Sequence, residues 1–279
     1  MSRPSITLTT DFGQADGYVG TMKGVILSIC PDASIVDISH DIRPQAIRQA
    51  AYVLSTAAPY FHPGTVHLVV VDPGVGSERR PIVVQTERAT YVAPDNGVLS
   101  MAISQEPPRL AIHLTRREYH LPFVSATFHG RDVFAPAAAH LAAGADPRDM
   151  GTPIPVSDLV SLPFNRPALQ PDGSWLGEVL HVDRFGNLVT SFHCRSMPSK
   201  AGEGTMLNEQ CAIEVAGRRI GRVMRTYADV APGDLVATIG SSGRVEIAVR
   251  DGNAATWLGV DVGEPVRVYP TALIAEARP

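Results

Sequence analysis

Three polar side chains in the first half of the chain, two after strand-like segments and one before a helix-like stretch, have types that suit acid–base chemistry. Asp11 comes directly after a β-type run, and Asp72 directly after an apolar run. His129 lies in the segment Thr-Phe-His-Gly-Arg-Asp, before a helix-like stretch. In open α/β sheets, ligands bind beyond the carboxyl ends of the strands. One strand-end Asp is as often a turn former, but three such residues together indicate a site.

The loop at 72–80 joins the carboxylate of Asp72 to a rigid proline, two glycines and the adjacent residues Arg79 and Arg80. Both guanidinium groups are within reach of the carboxylate, and spacing alone does not choose between them. The Gly-x-x-x-x-Gly-Lys-Ser/Thr pattern of phosphate-binding loops is absent. His129 follows Phe128 and precedes Gly-Arg-Asp, a cluster able to orient an imidazole and bring its pKa near neutrality. The two segments together favour a catalytic role over a simple turn.

The composition excludes several functional classes. The net charge is −4 and the charged residues are interspersed, so we expect no nucleic-acid partner. No stretch approaches the roughly 20 apolar residues of a membrane span, and the start, Met-Ser-Arg-Pro, does not resemble a signal peptide. Three widely spaced cysteines are typical of reduced thiols and do not form a zinc motif. These features predict a soluble cytoplasmic protein without a membrane partner.

Strand-like and helix-like segments alternate in the first half and give way to strands in the second. The first half predicts an α/β domain over 1–163 with a central, mostly parallel sheet. Asp16 stands where it can cap the first helix. A proline-rich stretch at 161–174 indicates a linker. The strands that follow, separated by Gly-rich turns, predict an all-β, barrel-like domain over 175–279. The predicted strands cover 6–10, 35–38, 65–71, 81–86, 90–93, 176–182, 188–192, 212–215, 222–225, 235–239, 245–249 and 266–269, and the predicted helices 19–29, 46–58 and 133–143.

The second domain has one segment with ligand-binding chemistry, His181-Val-Asp-Arg-Phe-Gly-Asn187. Asp183 and Asn187 can receive an ammonium and a carboxylate, and Phe185 offers an aromatic face. By spacing alone a hairpin turn is the better interpretation, and the same holds for the segments at 240–243 and 250–255.

Six segments of the chain carry a resemblance when they are taken together and in order. They are Thr9-Thr-Asp-Phe-Gly13 with Asp16-Gly-Tyr-Val-Gly20, Val71-Asp-Pro-Gly-Val-Gly-Ser-Glu-Arg-Arg80, Pro94-Asp-Asn-Gly97, Thr127-Phe-His-Gly-Arg-Asp132, His181-Val-Asp-Arg-Phe-Gly-Asn187 and Gly252-Asn-Ala-Ala255. With these segments the chain resembles one enzyme family, the S-adenosyl-L-methionine (SAM) hydroxide adenosyltransferases, relatives of the fluorinases and chlorinases. The resemblance covers nearly the whole chain and keeps the order of the motifs. It implies a homotrimer in which the substrate lies between the N-terminal domain of one chain and the C-terminal domain of its neighbour.

The resemblance also implies an activity and a set of site residues. The expected reaction is hydrolysis of SAM to adenosine and L-methionine, by attack of water on the ribose 5′ carbon, with no cofactor and no metal. The catalytic residues would be Asp72, Arg79 and His129, with Arg80 as the alternative to Arg79. The expected substrate-binding residues are Asp11 at the ribose hydroxyls, Asp183 and Asn187 at the amino-acid end, Phe128, Phe185 and Tyr227 packed around the ligand, and, as weaker matches, Asp16, Arg250 and Ala254.

Displacement of a sulfonium needs little acid assistance, because the leaving group is good. It depends on a water held in line, about 3 to 3.5 Å from the 5′ carbon. We expect Asp72 and His129 to share the removal of the proton from that water while Arg79 orients the carboxylate.

Three other functions remain open at the level of sequence. A 5′-halogenase is disfavoured by three differences from the halogenase relatives. Those relatives resemble Tyr-Pro-x-Thr-Gly where this chain has Asp72-Pro-Gly-Val-Gly, and Phe-Tyr-Ser/Gly-Arg where it has Phe128-His-Gly-Arg131. They also carry a long insertion where this chain has only 83–89. A metal-dependent hydrolase could be assembled from Asp11, Asp41, Asp72 and His129. A non-catalytic SAM- or adenosine-binding protein is the third alternative.

Overall fold

The chain forms two compact units, Met1–Leu162 and Pro163–Pro279, in a computed structural model that describes residues 3–164, 166–194 and 211–270. The helices are α1 (Tyr18–Ile29), α2 (Ile47–Ala57), α3 (Ser100–Gln105), α4 (Ala135–Ala142) and α5 (Ala254–Leu258). The strands are β1 (Ser5–Thr10), β2 (Ser34–Ser39), β3 (Thr65–Val70), β4 (Pro81–Gln85), β5 (Ala89–Pro94), β6 (Leu110–His113), β7 (Thr152–Pro153), β8 (Ala168–Leu169), β9 (Trp175–Val182), β10 (Leu188–His193), β11 (Ala212–Val215), β12 (Arg218–Ile220), β13 (Val223–Met224), β14 (Leu235–Ile239), β15 (Arg244–Val249) and β16 (Pro265–Tyr269).

The first unit contains a seven-stranded mixed sheet in the order β2-β1-β3-β5-β4-β6-β7. The strands β2, β1, β3 and β5 pair in parallel, and β4, β6 and β7 continue the sheet with antiparallel pairs. Every residue of β3 is buried. Leu68 and Val70 belong to the core cluster that includes residues of α1 and α4, whereas Val69 belongs to the cluster that includes residues of α2 and α3. The continuous apolar run of β3 thus follows from burial of both faces, and the predicted α/β class is confirmed.

The second unit is built on strands β8 to β16. Eight of them follow the order β12-β11-β16-β9-β10-β15-β14-β13, and β8 pairs with β9. Residues of β12 and β14 also approach each other, so the sheet is nearly closed and barrel-like, as predicted. Its interior holds apolar side chains from alternate strand positions, among them Val179, Phe192 and Ile247.

Two local predictions need correction. The N-cap residue of α1 is Gly17, with no side-chain cap, so the predicted capping by Asp16 is wrong because Asp16 lies one residue too early. The helix predicted from residue 133 starts at Gly130 as a π-helical turn and continues as α4. Strands β6, β7, β8 and β12 and helices α3 and α5 were not predicted. Among the described residues, none of the helices combines the length and apolar character needed to cross a bilayer.

Candidate active site

A cavity of about 390 Å³ opens beyond the carboxyl ends of β1 and β3. Its lining brings together Asp11, Asp72, Phe128 and His129, which come from separate segments of the sequence. This is the edge of the sheet at which an α/β fold is expected to bind ligands. The remaining lining residues are Phe12, Tyr18, Pro44, Gln45, Val70, Pro73, Val75, Thr127 and Gly130.

Arg79 joins the two candidate catalytic side chains. Its Nε lies 2.9 Å from each carboxylate oxygen of Asp72, and its Nη2 also donates to Oδ2. The same Nη2 lies 2.8 Å from Nδ1 of His129. The side chains of Arg79 and Asp72 are only 8% and 5% exposed, and the guanidinium stacks on the ring of Phe134. The three residues therefore form one connected, largely buried group beside the cavity.

These contacts fix the protonation pattern of His129. Burial, and next the positive charge of Arg79, lowers the pKa of His129 below its usual value of 6.5, against the opposing effect of Asp72. The imidazole is therefore neutral near pH 7. Because a guanidinium can only donate, Nδ1 of His129 accepts from Arg79. The single proton of the ring lies on Nε2.

The neighbouring Arg80 has a different partner. Its Nε lies 2.9 Å from the carboxylate of Asp95, which is 5% exposed. Asp95 also accepts the backbone N–H of Val160 at 2.9 Å. Of the two arginines that the sequence left open, Arg79 contacts Asp72, and Arg80 braces a separate part of the same unit.

The loop that carries Asp72 packs against the loop that carries His129. Gly76 has a φ of 76°, and a Cβ placed on it would lie 2.5 Å from the carbonyl oxygen of Ala126. Only glycine permits this approach. The loop that carries His129 is also held by Asp132, a fully buried residue whose carboxylate accepts the backbone N–H of Ser125 at 2.8 Å. A π-helical turn directly after His129 is typical of functional sites.

Asp11 is anchored by another residue of the cavity lining. Its Oδ2 accepts the backbone N–H of Gln45 at 2.7 Å. Gln45 has a φ of 66°, a left-handed conformation that is costly for a residue with a side chain. This strain lies at the cavity wall, and no sequence pattern predicts it, since Gln has no preference for that conformation.

An aromatic cluster also lines the cavity. The rings of Phe12, Tyr18 and Phe128 lie 5.1 to 5.9 Å apart, two of the three pairs edge to face. Phe128 was predicted as a site residue, whereas Phe12 and Tyr18 were not singled out. Edge-to-face pairs of this kind stabilise a defined arrangement of the rings.

The second unit has its own polar cluster. Asp183 Oδ1 accepts the backbone N–H groups of Phe185 and Asn187, both at 2.8 Å, and Oδ2 accepts the Asn187 amide at 3.0 Å. The segment is therefore a tight turn, as its spacing predicted, and it leaves Phe185 74% exposed.

Tyr227 and a residue that the sequence analysis missed lie near this turn. The hydroxyl of Tyr227 donates to the carboxylate of Glu246. Burial, and next Glu246, raises the pKa of Tyr227 to about 12. Burial also raises the pKa of Glu246, and the charge of Asp183 adds to this effect. Two carboxylates in one cluster favour a cationic ligand. In the sequence, Glu246 stands between the apolar residues Val245 and Ile247 of β15, and this alternation is the signal that could have identified it.

Of the three residues that the resemblance matched more weakly, Arg250 and Ala254 have contacts within the second unit and Asp16 lies at the surface. Arg250 Nη1 donates to the carbonyl oxygens of Ala228 and Val230, at 3.2 and 2.7 Å, and so braces the turn that carries Tyr227. Ala254 is fully buried in the core of the second unit. Asp16 is exposed and is not part of the cavity lining. Within the described ranges, no group of three or more His, Cys, Asp or Glu side chains is arranged to hold a metal ion.

Comparison with known proteins agrees with this geometry. Residues 6–151 match the model of the SAM hydroxide adenosyltransferase N-terminal domain, and residues 177–267 match that of its C-terminal domain. A curated (R)-S-adenosyl-L-methionine hydrolase from Thermus thermophilus is 44% identical, over 93% of this chain and 97% of its own length. A fluorinase from Actinopolyspora mzabensis is 27% identical, over 96% and 97%.

A crystal structure of a conserved protein from Thermotoga maritima has the same fold. It matches with a TM-score of 0.85 at 35% identity, and the match covers 94% of this chain and 99% of the other. The two domain models together span most of the described residues. The chain therefore belongs to the SAM hydroxide adenosyltransferase family.

Proposed function

We propose that this chain hydrolyses S-adenosyl-L-methionine to adenosine and L-methionine. The observation that carries the proposal is the connected group of Asp72, Arg79 and His129, placed at a cavity that Asp11 also lines. The 44% identity to a hydrolase over nearly the full length supports it. In the reaction, a bond forms between the water oxygen and the ribose 5′ carbon. The carbon–sulfur bond breaks, its electron pair stays on the sulfur of methionine, and the water loses one proton.

The contacts of Arg79 divide the work between its two partners. His129 carries its proton on Nε2, so this atom can donate to the oxygen of the attacking water and orient it. Asp72 is the group that can accept the proton, and Oδ1 keeps the freer lone pairs because it contacts only Nε of Arg79. In this proposal the carboxylate of Asp72 alone accepts the proton, and His129 donates a hydrogen bond to the water. This differs from the expectation that the two residues share the removal of the proton.

Substrate binding is assigned to both units. Asp11 has one oxygen held by Gln45, which leaves Oδ1 for the ribose hydroxyls, and Phe128 offers an aromatic surface. In the second unit, the carboxylates of Asp183 and Glu246 suit the ammonium of the methionine moiety. Asn187 and Phe185 complete that cluster on the same turn.

We further propose a homotrimer in which the N-terminal unit of one chain and the C-terminal unit of a neighbour share each site. The support is the family resemblance and the exposed Phe185 and Tyr227, which are 74% and 42% exposed. Loss of the sulfonium charge in the transition state would be favoured in a site that a neighbour closes to water. We also propose a reducing, cytoplasmic location, because Cys30, Cys194 and Cys211 are free thiols.

Incubation of the purified protein with SAM, in chloride-free buffer with a chelator, tests the activity. Chromatography with mass detection should show adenosine and methionine in equal amounts. Intact SAM after long incubation would favour the non-catalytic binding protein. Activity lost on chelation would favour the metal-dependent hydrolase, and a 5′-halogenated nucleoside on addition of chloride or fluoride would favour the halogenase.

A further inference from the structure

The turn that carries Asp11 and Phe12 is backed by a chain of polar side chains that the sequence analysis did not single out. Thr10 Oγ1 lies 2.8 Å from Nδ1 of His40, and Nε2 of His40 lies 3.0 Å from Oδ1 of Asp37. Asp37 Oδ2 accepts from Lys23 at 2.6 Å. Thr10 is fully buried and His40 is 3% exposed, whereas the side chains of Asp37 and Lys23 reach the surface.

His40 contacts both sides of this turn. Its backbone carbonyl accepts the N–H of Gly13 at 2.8 Å. Through its ring it holds Thr10, whose Oγ1 accepts the N–H of Phe12 at 3.3 Å. The backbone before and after Asp11 is therefore tied to one buried residue. The carboxylate itself is tied to Gln45, five residues further along the same loop as His40.

The arrangement of hydroxyl, imidazole and carboxylate has the composition of a nucleophilic triad, but its burial argues against that role. Thr10 has no exposed surface and does not line the cavity. A hydroxyl must reach the ligand to attack it. The chain of side chains therefore acts on the ligand only through the backbone that it fixes.

We propose that His40 is a positioning residue, which, through Thr10 and Asp37, sets the orientation of Asp11 for binding of the ribose hydroxyls. The identity of the ligand rests on the proposed function. Asp11 would act on the nucleoside part of the substrate, away from the bond that breaks. Misplacement of Asp11 should then weaken binding and leave the chemical step largely unchanged.

The same strand offers an internal control. Thr7, near the other end of β1, has its Oγ1 2.7 Å from Nδ1 of His67. Thr7 is fully buried and His67 is 1% exposed, so the two Thr–His pairs match in chemistry and burial. Neither Thr7 nor His67 lines the candidate active site. A purely structural role for Thr10 would make the two threonines equivalent.

The test compares Thr10→Val with Thr7→Val in the full-length chain. Each variant loses a buried hydrogen bond to a histidine, and Thr10→Val also loses the bond from the backbone N–H of Phe12, so both should unfold at lower temperature than the wild type. Only Thr10→Val should raise KM for SAM, by about five- to tenfold, with kcat within about threefold of the wild type. Thr10→Ser keeps the hydroxyl and should restore KM. A wild-type KM in Thr10→Val, or an equal rise in Thr7→Val, would overturn the proposal.

A second variant covers the case in which Thr10→Val does not fold. Asp37→Ala removes the outer partner of His40 at a partly exposed position and should raise KM in the same direction by a smaller factor. An unchanged KM would overturn the proposal. If the wild type does not hydrolyse SAM, the proposed function fails on its own evidence. The Kd for adenosine, measured by calorimetry on the same variants, then decides the role of His40.

Discussion

Arg79 has the contacts that decide what its two neighbours can do. It neutralises the charge of Asp72 and, by donating to Nδ1, keeps the proton of His129 on Nε2. Conversion of Asp72 to Asn keeps the shape of the side chain and removes its ability to accept a proton. We expect Asp72→Asn to lower kcat by about 10²- to 10⁴-fold with little change in KM. Steady-state kinetics with SAM measure both parameters.

The adjacent ion pair provides a matched control for this variant. Asp95→Asn alters a carboxylate of similar burial that contacts Arg80 and does not line the cavity. It should lower the thermal stability while kcat stays near the wild-type value. Equal losses of kcat in both variants would mean that the effect of Asp72→Asn is structural.

At this scale the sequence predicted the residue types of the site but not all of their partners. Asp72 and His129 could be singled out because each follows or precedes a recognisable element. The sequence could not decide between Arg79 and Arg80. Side chains of neighbouring residues in an extended segment point in opposite directions, and each of these arginines contacts a different carboxylate. Gln45, His40 and Glu246 were missed, because their roles depend on contacts between distant segments.

At the scale of elements, the contact of the loops at 72–80 and 121–129 decides the distance between Asp72 and His129. Gly76→Ala introduces a Cβ that would lie 2.5 Å from the carbonyl oxygen of Ala126. The two loops must then separate, so kcat should fall by at least about tenfold. Gly64→Ala is the control, since Gly64 also has a positive φ, 87°, but open space around it. It should cost about 1 to 2 kcal/mol of stability and leave kcat unchanged.

The sheet itself contains a group that should make stability depend on pH. Burial lowers the pKa of His67 from 6.5 to about 4. The unfolded chain then binds a proton at a higher pH than the folded chain does. The contribution of His67 to the free energy of unfolding is therefore fully present above about pH 6.5 and is lost as the pH falls toward 4. The loss amounts to about 3 kcal/mol. Denaturant unfolding between pH 4 and 7 measures it.

His67→Gln removes the titrating group, so the free energy of unfolding of this variant should vary less with pH than that of the wild type. His62→Gln, at an exposed position in the segment before β3, is the control and should keep the wild-type profile. A His67→Gln profile that ran parallel to that of the wild type would show that His67 does not titrate in this range.

Most elements of the first unit were predictable, because their apolar spacing matches their burial. The buried run of β3 and the apolar face of α1 are examples. The π-helical turn at Gly130–Phe134 was not, since it arises from the contacts of Asp132 and the loop before it rather than from local preference. The strand β12 is short and mostly exposed, so it carries no apolar pattern.

In the assembled molecule, the proposed sharing of each site between neighbouring subunits makes a prediction about mixtures. Asp72→Asn and Asp183→Ala each disable one contribution to the site, and each variant alone should show little activity. Mixed oligomers, formed by dissociating and reassembling the two variants in equal amounts, should contain intact sites at about one quarter of the positions. Activity near that level, together with a trimeric mass in sedimentation, supports the shared site. Mixtures that stay inactive would mean that each chain completes its own site.

Turnover in water enriched in the heavy oxygen isotope shows whether water attacks the ribose 5′ carbon. Mass spectrometry of both products shows where the oxygen from the solvent is found. The structure predicts one heavy oxygen atom in adenosine, at the 5′ hydroxyl, and none in the methionine. Adenosine without the label, or a label in another product, would contradict the assignment of Asp72 and His129 to an attacking water.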